Sequence, residues 1–154
     1  MRRRDLIRGA VVTGWAVRIS TAAVRGDEAM YVGGTMANVP DKTEGRLDLT
    51  DEKVAKFTSK KGNFSFAFIR VTSLEYGQKA GRRVGVALAV NPLFLFSKKR
   101  KHFLTVGFID EKGDQQGAVF ELGKGKVRGV ITTMETRSGK AVEYESEEAK
   151  KHVG

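Results

Sequence analysis

The chain has 154 residues, of which 40% are hydrophobic, so it can form a domain with a sizeable core and is not disordered throughout. It has no cysteine, which excludes disulfides, thiolate metal sites and cysteine nucleophiles. The net charge is +10, and residues 1–25 contribute half of it, because they hold six arginines and one acid.

The first 26 residues are predicted to form an export signal or a basic extension. Two arginines are followed, after one residue, by two apolar residues and a further arginine, a pattern that resembles the twin-arginine export motif. The motif residues are Arg3, Arg4, Leu6 and Ile7. The apolar run at residues 9–17 is far shorter than the ~20 residues of a membrane-spanning helix, so we expect no transmembrane span. The resemblance implies an exported, periplasmic protein, and the alternative is a cytoplasmic one.

The domain is predicted to cover residues 27–146 and to begin with an antiparallel meander. Candidate strands lie at 31–39, 46–50 and 53–59, separated by turn residues. In the next segment, 63–77, Phe64, Phe66 and Phe68 share one face, whereas Ile69 and Val71 are out of phase with them. One flat strand cannot bury both sets, so a bulge or corner is expected near residues 68–70.

The second half is predicted to contain further strands, one helix and a tail. Strands are expected at 84–90, 103–110 and 117–122, with the first two joined by a basic tip. Val127, Val130, Ile131 and Met134 then follow a helical spacing, which predicts an amphipathic helix from 126 to 137 ended by Gly139. Residues 141–145 can add a short strand, and 147–154 form a charged tail, either one helical turn or disordered.

The predicted elements resemble the pleckstrin-homology (PH) superfold, and more closely its bacterial PH-like and GRAM-like members. The resemblance lies in residues 68–76, the strand pair around 98–102 and the helix after Gly123. It implies a mainly β (α+β) fold, a PH-like barrel or sandwich of about seven antiparallel strands capped by one C-terminal amphipathic helix. Such domains have many functions, so the resemblance implies binding rather than a particular ligand. The first loop, 39–45, is mixed in charge and predicts no phosphoinositide site.

The strongest candidate binding surface is the basic tip next to the apolar residues 93–96. Cations beside apolar side chains suit an anionic membrane surface. The first group comprises Lys98, Lys99, Arg100 and Lys101, and the second comprises Lys79, Arg82 and Arg83. The simpler alternative is that the apolar residues belong to core strands and the cations form a solvated tip.

Catalytic, metal and cofactor sites are not predicted. His102 lies among cations that should lower its pKa, and neither it nor His152 belongs to a recognisable catalytic or metal motif. Asp110, Glu111 and Asp114 form a carboxylate-rich turn, more typical of a solvated turn than of a calcium site. We therefore expect a non-enzymatic module that binds a protein partner or an anionic lipid surface. The alternative is an intracellular binder of nucleic acid or another polyanion, although the basic stretches lack interleaved aromatic residues for base stacking.

Overall fold

The computed structural model describes residues 27–78 and 101–153. The described strands are β1 (Asp27–Gly34), β2 (Thr43–Asp48), β3 (Val54–Thr58), β4 (Asn63–Ala67), β5 (Val71–Gly77), β6 (His102–Ile109), β7 (Gln115–Leu122) and β8 (Val142–Tyr144). The described α-helices are α1 (Val127–Ser138) and α2 (Glu147–Lys151). The predicted strand at 84–90 and most of the basic tip lie outside the described residues.

The described strands form one mixed sheet in the order β4-β3-β2-β1-β7-β6-β5-β8. Neighbours are antiparallel except β5 and β8, which run parallel. The prediction of a mainly β fold is confirmed. The prediction was about seven antiparallel strands with one helix, whereas residues 27–78 and 101–153 form eight strands in a mixed sheet and two short helices. The sheet is open rather than closed into a barrel, because its edge strands β4 and β8 are not paired with each other.

The corner predicted near residues 68–70 is confirmed. A single turn of 3-10 helix, Phe68–Arg70, separates β4 from β5 and shifts the phase of the side chains. Phe68 is buried, whereas Ile69 is 87% exposed, so the core pattern resumes at Val71. The Phe68 N–H donates to the Lys53 carbonyl at 2.9 Å, which fixes the corner against the start of β3.

Aromatic side chains from four strands pack together in the N-terminal half of the core. Tyr31, Phe57 and Phe120 are fully buried, and Phe64 at the sheet edge packs against them. The ring centroids of Tyr31 and Phe64 are 5.5 Å apart with an edge-on geometry, and those of Phe57 and Phe120 are 5.7 Å apart. Such contacts add to the burial of apolar area and hold β1, β3, β4 and β7 in one layer.

Helix α1 covers one face of the sheet as its spacing predicts. Its buried residues are Val127, Val130, Ile131 and Met134. Gly139 follows in the left-handed conformation at φ 69°, and its N–H donates to the Glu135 carbonyl at 2.9 Å. The predicted limits of 126–137 differ from the observed ones by one residue at each end.

The C-terminal residues complete the sheet and the core. Strand β8 pairs with β5, and Ser146 then caps α2 by accepting a hydrogen bond from the Ala149 N–H at 3.1 Å. Ala149 and Val153 are buried in the main core, so the segment predicted as a charged tail takes its helical alternative and packs against the domain. Among the described helices, none combines the length and hydropathy needed to cross a membrane.

Candidate binding surface at the β5–β6 end of the sheet

Most of the predicted basic residues lie in the sequence between the end of β5 and the start of β6. Gly77 is directly opposite Phe103, so the end of β5 and the start of β6 lie at the same end of the sheet. The Gln78 N–H donates to Glu145 Oε2 at 3.0 Å, and the Glu145 N–H donates to the Tyr76 carbonyl at 2.9 Å. The described residues on either side of positions 79–100 therefore lie together at one place, which we call the β5–β6 end.

Lys101 is the one predicted binding residue that the structure describes. Its Nζ lies 3.1 Å from Glu121 Oε2, in an ion pair whose side chains are 32% and 25% exposed. Glu121 is on β7, directly opposite Phe103 on β6, so the pair ties two neighbouring strands together. Lys101 is thus partly neutralised and helps to anchor the β5–β6 end.

The other predicted residues lie outside the described part of the chain. They are Lys98, Lys99 and Arg100 of the basic tip, the second basic group Lys79, Arg82 and Arg83, and Arg3, Arg4, Leu6 and Ile7 of the export motif. The six basic residues other than those of the export motif all belong to the 22-residue segment that begins after Gln78 and ends before Lys101.

Sequence reasoning missed two cations at the β5–β6 end. Lys124 and Lys126 are exposed in the loop between β7 and α1. Leu122, at the end of β7, is opposite His102, which brings this loop to the β5–β6 end. The Lys126 N–H donates to the Gly123 carbonyl at 2.9 Å, so the glycines form an ordinary strand-to-helix turn. The sequence shows the turn, but only the strand register places its lysines.

A buried pair of polar side chains lies beneath this surface. Tyr76 on β5 is fully buried, His102 on β6 is 9% exposed, and the Tyr76 hydroxyl is 2.5 Å from His102 Nδ1. Burial lowers the pKa of His102 below its usual value, and the positive charges of His152 and Lys124 lower it further, while Glu121 opposes them. The direction agrees with the sequence prediction, but the main cause is burial rather than neighbouring cations.

The carboxylate turn at the opposite end of the sheet serves its own backbone. Asp110 Oδ1 accepts hydrogen bonds from the N–H groups of Lys112 and Asp114, each at 2.9 Å, and Oδ2 accepts one from Gln116 Nε2. These hydrogen bonds lower the pKa of the Asp110 carboxyl. No cluster of three potential metal ligands occurs among residues 27–78 and 101–153. The interpretation as a solvated turn accounts for the hydrogen bonds of the Asp110 carboxylate.

A broad groove of about 1010 Å³ crosses the starts of β1 and β2 and the turn after β3. Its charged residues include the acids Glu28, Glu44 and Glu121 and the bases Lys42, Arg46, Lys60 and Lys61. Charges of both signs alternate around the groove, so it does not concentrate the potential that a strongly charged ligand would need.

Charge is divided unevenly between the described and the remaining residues. The described residues contain 16 basic and 17 acidic side chains, so their net charge is close to zero. The remaining residues contain 12 basic side chains and one acid. Six of those 12 lie in residues 79–100, which have no acid, and this segment is joined to the domain at the β5–β6 end.

The chain matches no protein-family model and no curated protein.

Proposed function

We propose that this chain is a non-enzymatic binding module that attaches to an anionic membrane surface through the β5–β6 end. One observation carries the proposal: a domain with almost no net charge has a segment of six cations and no acid joined to one end of its sheet. A cation near an anionic membrane contributes about 1 kcal/mol to binding. Because residues 93–96 of the same segment are apolar, the segment combines the two features of an interfacial binding element.

We further propose that the domain is PH-like, and the order of its elements supports this. Four antiparallel strands, β1–β4, are followed by three more, β5–β7, and then by the amphipathic helix α1, which is the order on which the resemblance rests. The parallel strand β8 and the helix α2 depart from the predicted pattern. A PH-like domain is compatible with binding of lipids or proteins, so the site must decide between them.

The test compares two variants with the same change of charge. In residues 27–154, Lys98, Lys99, Arg100 and Lys101 are all changed to Ser. The control changes Lys53, Lys56, Lys60 and Lys61 to Ser; all four are exposed and lie just before β3, on β3 and in the turn that follows it. Strand β3 is separated from β6 by β2, β1 and β7, so the control removes four charges from a part of the sheet that does not adjoin β5 or β6. Thermal unfolding first establishes that every protein is folded.

Binding is measured by sedimentation with anionic and with neutral vesicles at low and high salt. We expect binding to anionic vesicles alone, weakened by salt. The tip variant should bind on the order of 100-fold more weakly, because it loses about three contributions of ~1 kcal/mol, Lys101 being already paired with Glu121. The control should bind nearly as the natural sequence does. Absence of binding at low salt, or equal losses in both variants, would contradict the proposal and direct the search to a protein partner.

We also propose that the module is exported, on the basis of the motif at Arg3, Arg4, Leu6 and Ile7. The rival is an intracellular binder of a nucleic acid or another polyanion that uses the N-terminal arginines as well. N-terminal sequencing of the protein from its native cells separates the two proposals. A first residue between Ala23 and Asp27 supports export, whereas an intact Met1 or Arg2 supports the rival.

A further inference from the structure

The hydrogen bond between Tyr76 and His102 joins the penultimate residue of β5 to the first residue of β6. The two rings are nearly parallel, at 15°, with centroids 6.1 Å apart. His102 is opposite Leu122, a core residue, so its side chain is on the core face of the sheet. The pair therefore lies directly under the position at which residues 79–100 are joined to the domain.

The direction of this hydrogen bond follows from burial. The Tyr76 hydroxyl is fully buried, and a buried O–H group needs an acceptor. Among the described residues, His102 Nδ1 is the group within hydrogen-bond distance of it. If Nδ1 carried a proton, the hydroxyl hydrogen would have no acceptor there. Donation by Tyr76 to an unprotonated Nδ1 satisfies the buried hydroxyl, and in that arrangement His102 is the neutral tautomer with its hydrogen on Nε2.

The charged groups around His102 reinforce its neutral form. Strand β7 contributes Glu121, which is already paired with Lys101. The β7–α1 loop contributes Lys124, and the residue after α2 is His152, both of which disfavour a positive charge on His102. On β5 the neighbouring titratable group is the Tyr76 hydroxyl. The Tyr76 ring meets that of Tyr144 on β8 edge-on, with the ring centroids 6.0 Å apart. Within residues 27–78 and 101–153, the group that favours the protonated ring is the Glu121 carboxylate, which is shared with Lys101.

We propose that the Tyr76–His102 pair is a proton-sensitive latch that holds the β5–β6 end closed at neutral pH and releases it on acidification. Protonation of Nδ1 removes the acceptor of the Tyr76 hydroxyl and places a cation on the core face beside Lys124 and His152. The last residues of β5 and the first of β6 then separate more easily. The idea that the latch regulates the binding surface rests on the proposed function. The latch itself is tested without vesicles, on the protein by itself.

The pH dependence has a definite sign. The folded state lowers the pKa of His102, so the open state binds more protons in the acidic range. The stability supplied by neutral His102 is therefore complete above the usual pKa of about 6.5 and is lost as the pH falls towards the folded value. One unit below 6.5, at pH 5.5, the open state is favoured by up to about tenfold relative to neutral pH.

The first test determines the tautomer in the full chain by long-range proton–nitrogen NMR. The chain has only two histidines, and His152→Asn assigns the signals. We expect His102 to carry its hydrogen on Nε2 and to become protonated only below the usual histidine pKa of about 6.5. A hydrogen on Nδ1, or protonation of His102 at or above that pH, would overturn the proposal without any need for a variant that folds.

The second test measures hydrogen exchange of the amides at residues 76–78 and 102–104 between pH 7.5 and 5.5, corrected for intrinsic rates. The natural sequence should lose up to about tenfold in protection at these amides relative to those of β2 and β3. His102→Asn places an acceptor oxygen on the same Cγ position but cannot be protonated, so it should keep its protection. The matched control, His152→Asn, should behave like the natural sequence. Equal losses in all three proteins would overturn the latch, whereas failure of vesicle binding would leave it intact.

Discussion

Gly34, at the end of β1, shows how one residue can be fixed by its surroundings. Its φ is +154°, and a Cβ built there would lie 2.2 Å from the Gly117 carbonyl oxygen on β7. The neighbouring Thr35 N–H donates to that same oxygen at 2.9 Å. Backbone conformation and close approach therefore both require glycine. By contrast, Gly129 on α1 is exposed and would have no atom within 4 Å of an added Cβ.

We expect opposite results from the same substitution at these two glycines. Gly34→Ala should lower the free energy of unfolding by about 2–3 kcal/mol or more, because it combines a strained φ with a backbone clash. Gly129→Ala should raise it by about 0.5–1 kcal/mol, because alanine loses less backbone entropy in a helix. Urea unfolding of both variants measures the difference. A Gly34→Ala protein as stable as the natural one would show that β1 and β7 do not approach each other in this way.

Some residue contacts have no signal in the sequence. Tyr76 and His102 are 26 positions apart, and neither belongs to a motif. Tyr76 is a buried residue near the end of β5, but its local sequence does not indicate that its hydroxyl meets a histidine. The sequence predicts Lys101 as part of a candidate binding surface, with a solvated tip as the alternative, and the structure shows it in an ion pair with Glu121 on β7. Both outcomes depend on strand register, which local sequence does not determine.

Among the elements, α1 is held by polar contacts as well as by its apolar face. The guanidinium of Arg137, in its last turn, donates to the carbonyls of Leu49 and Asp51, the latter at 2.8 Å. It also lies over the Phe68 ring, 5.5 Å from the centroid. One side chain therefore connects the helix to the β2–β3 loop and to the corner after β4. Arg128, near the other end of α1, is exposed.

Arginine and methionine have similar helix propensities, so replacing each arginine by methionine removes its polar contacts with little change in helix propensity. Arg137→Met should lower the free energy of unfolding by about 1–3 kcal/mol, because two backbone carbonyls lose charged donors. Arg128→Met should change it by less than about 0.5 kcal/mol, as usual for a surface position. Chemical denaturation of the two variants provides the comparison. Similar losses for both would mean that the Arg137 contacts contribute nothing to the docking of α1.

The elements that could be predicted are those in which apolar side chains recur at a clear helical or strand spacing along the whole element. The helical spacing from Val127 to Met134 predicts α1, and the change of phase after Phe68 predicts the corner. The predicted range of the first strand, 31–39, is wrong at both ends. The observed β1 begins with the polar pair Asp27-Glu28 and ends at Gly34. Strand β8 has only three residues, so its period cannot reveal that it runs parallel to β5.

At the scale of the whole molecule, the fold class followed from composition and periodicity, but the sheet order did not. Pairing of β1 with β7 joins segments about 90 positions apart, and no local pattern specifies it. Residues 79–100 contain six cations and no acid, as the sequence itself shows. What the fold adds is that the domain to which they are joined has almost no net charge of its own.

The parallel pairing of β8 with β5 also affects when the domain can be completed during synthesis. Residues 142–144 and the buried Ala149 and Val153 emerge from the ribosome after all the other described strands. Until then, one edge of β5 has no partner and part of the core is open to water. At 5–20 residues per second, the roughly 65 residues between Gly77 and Val142 take about 3–13 seconds to add. During that interval the nascent chain exposes an unpaired strand edge, the feature on which chaperones and aggregation both act.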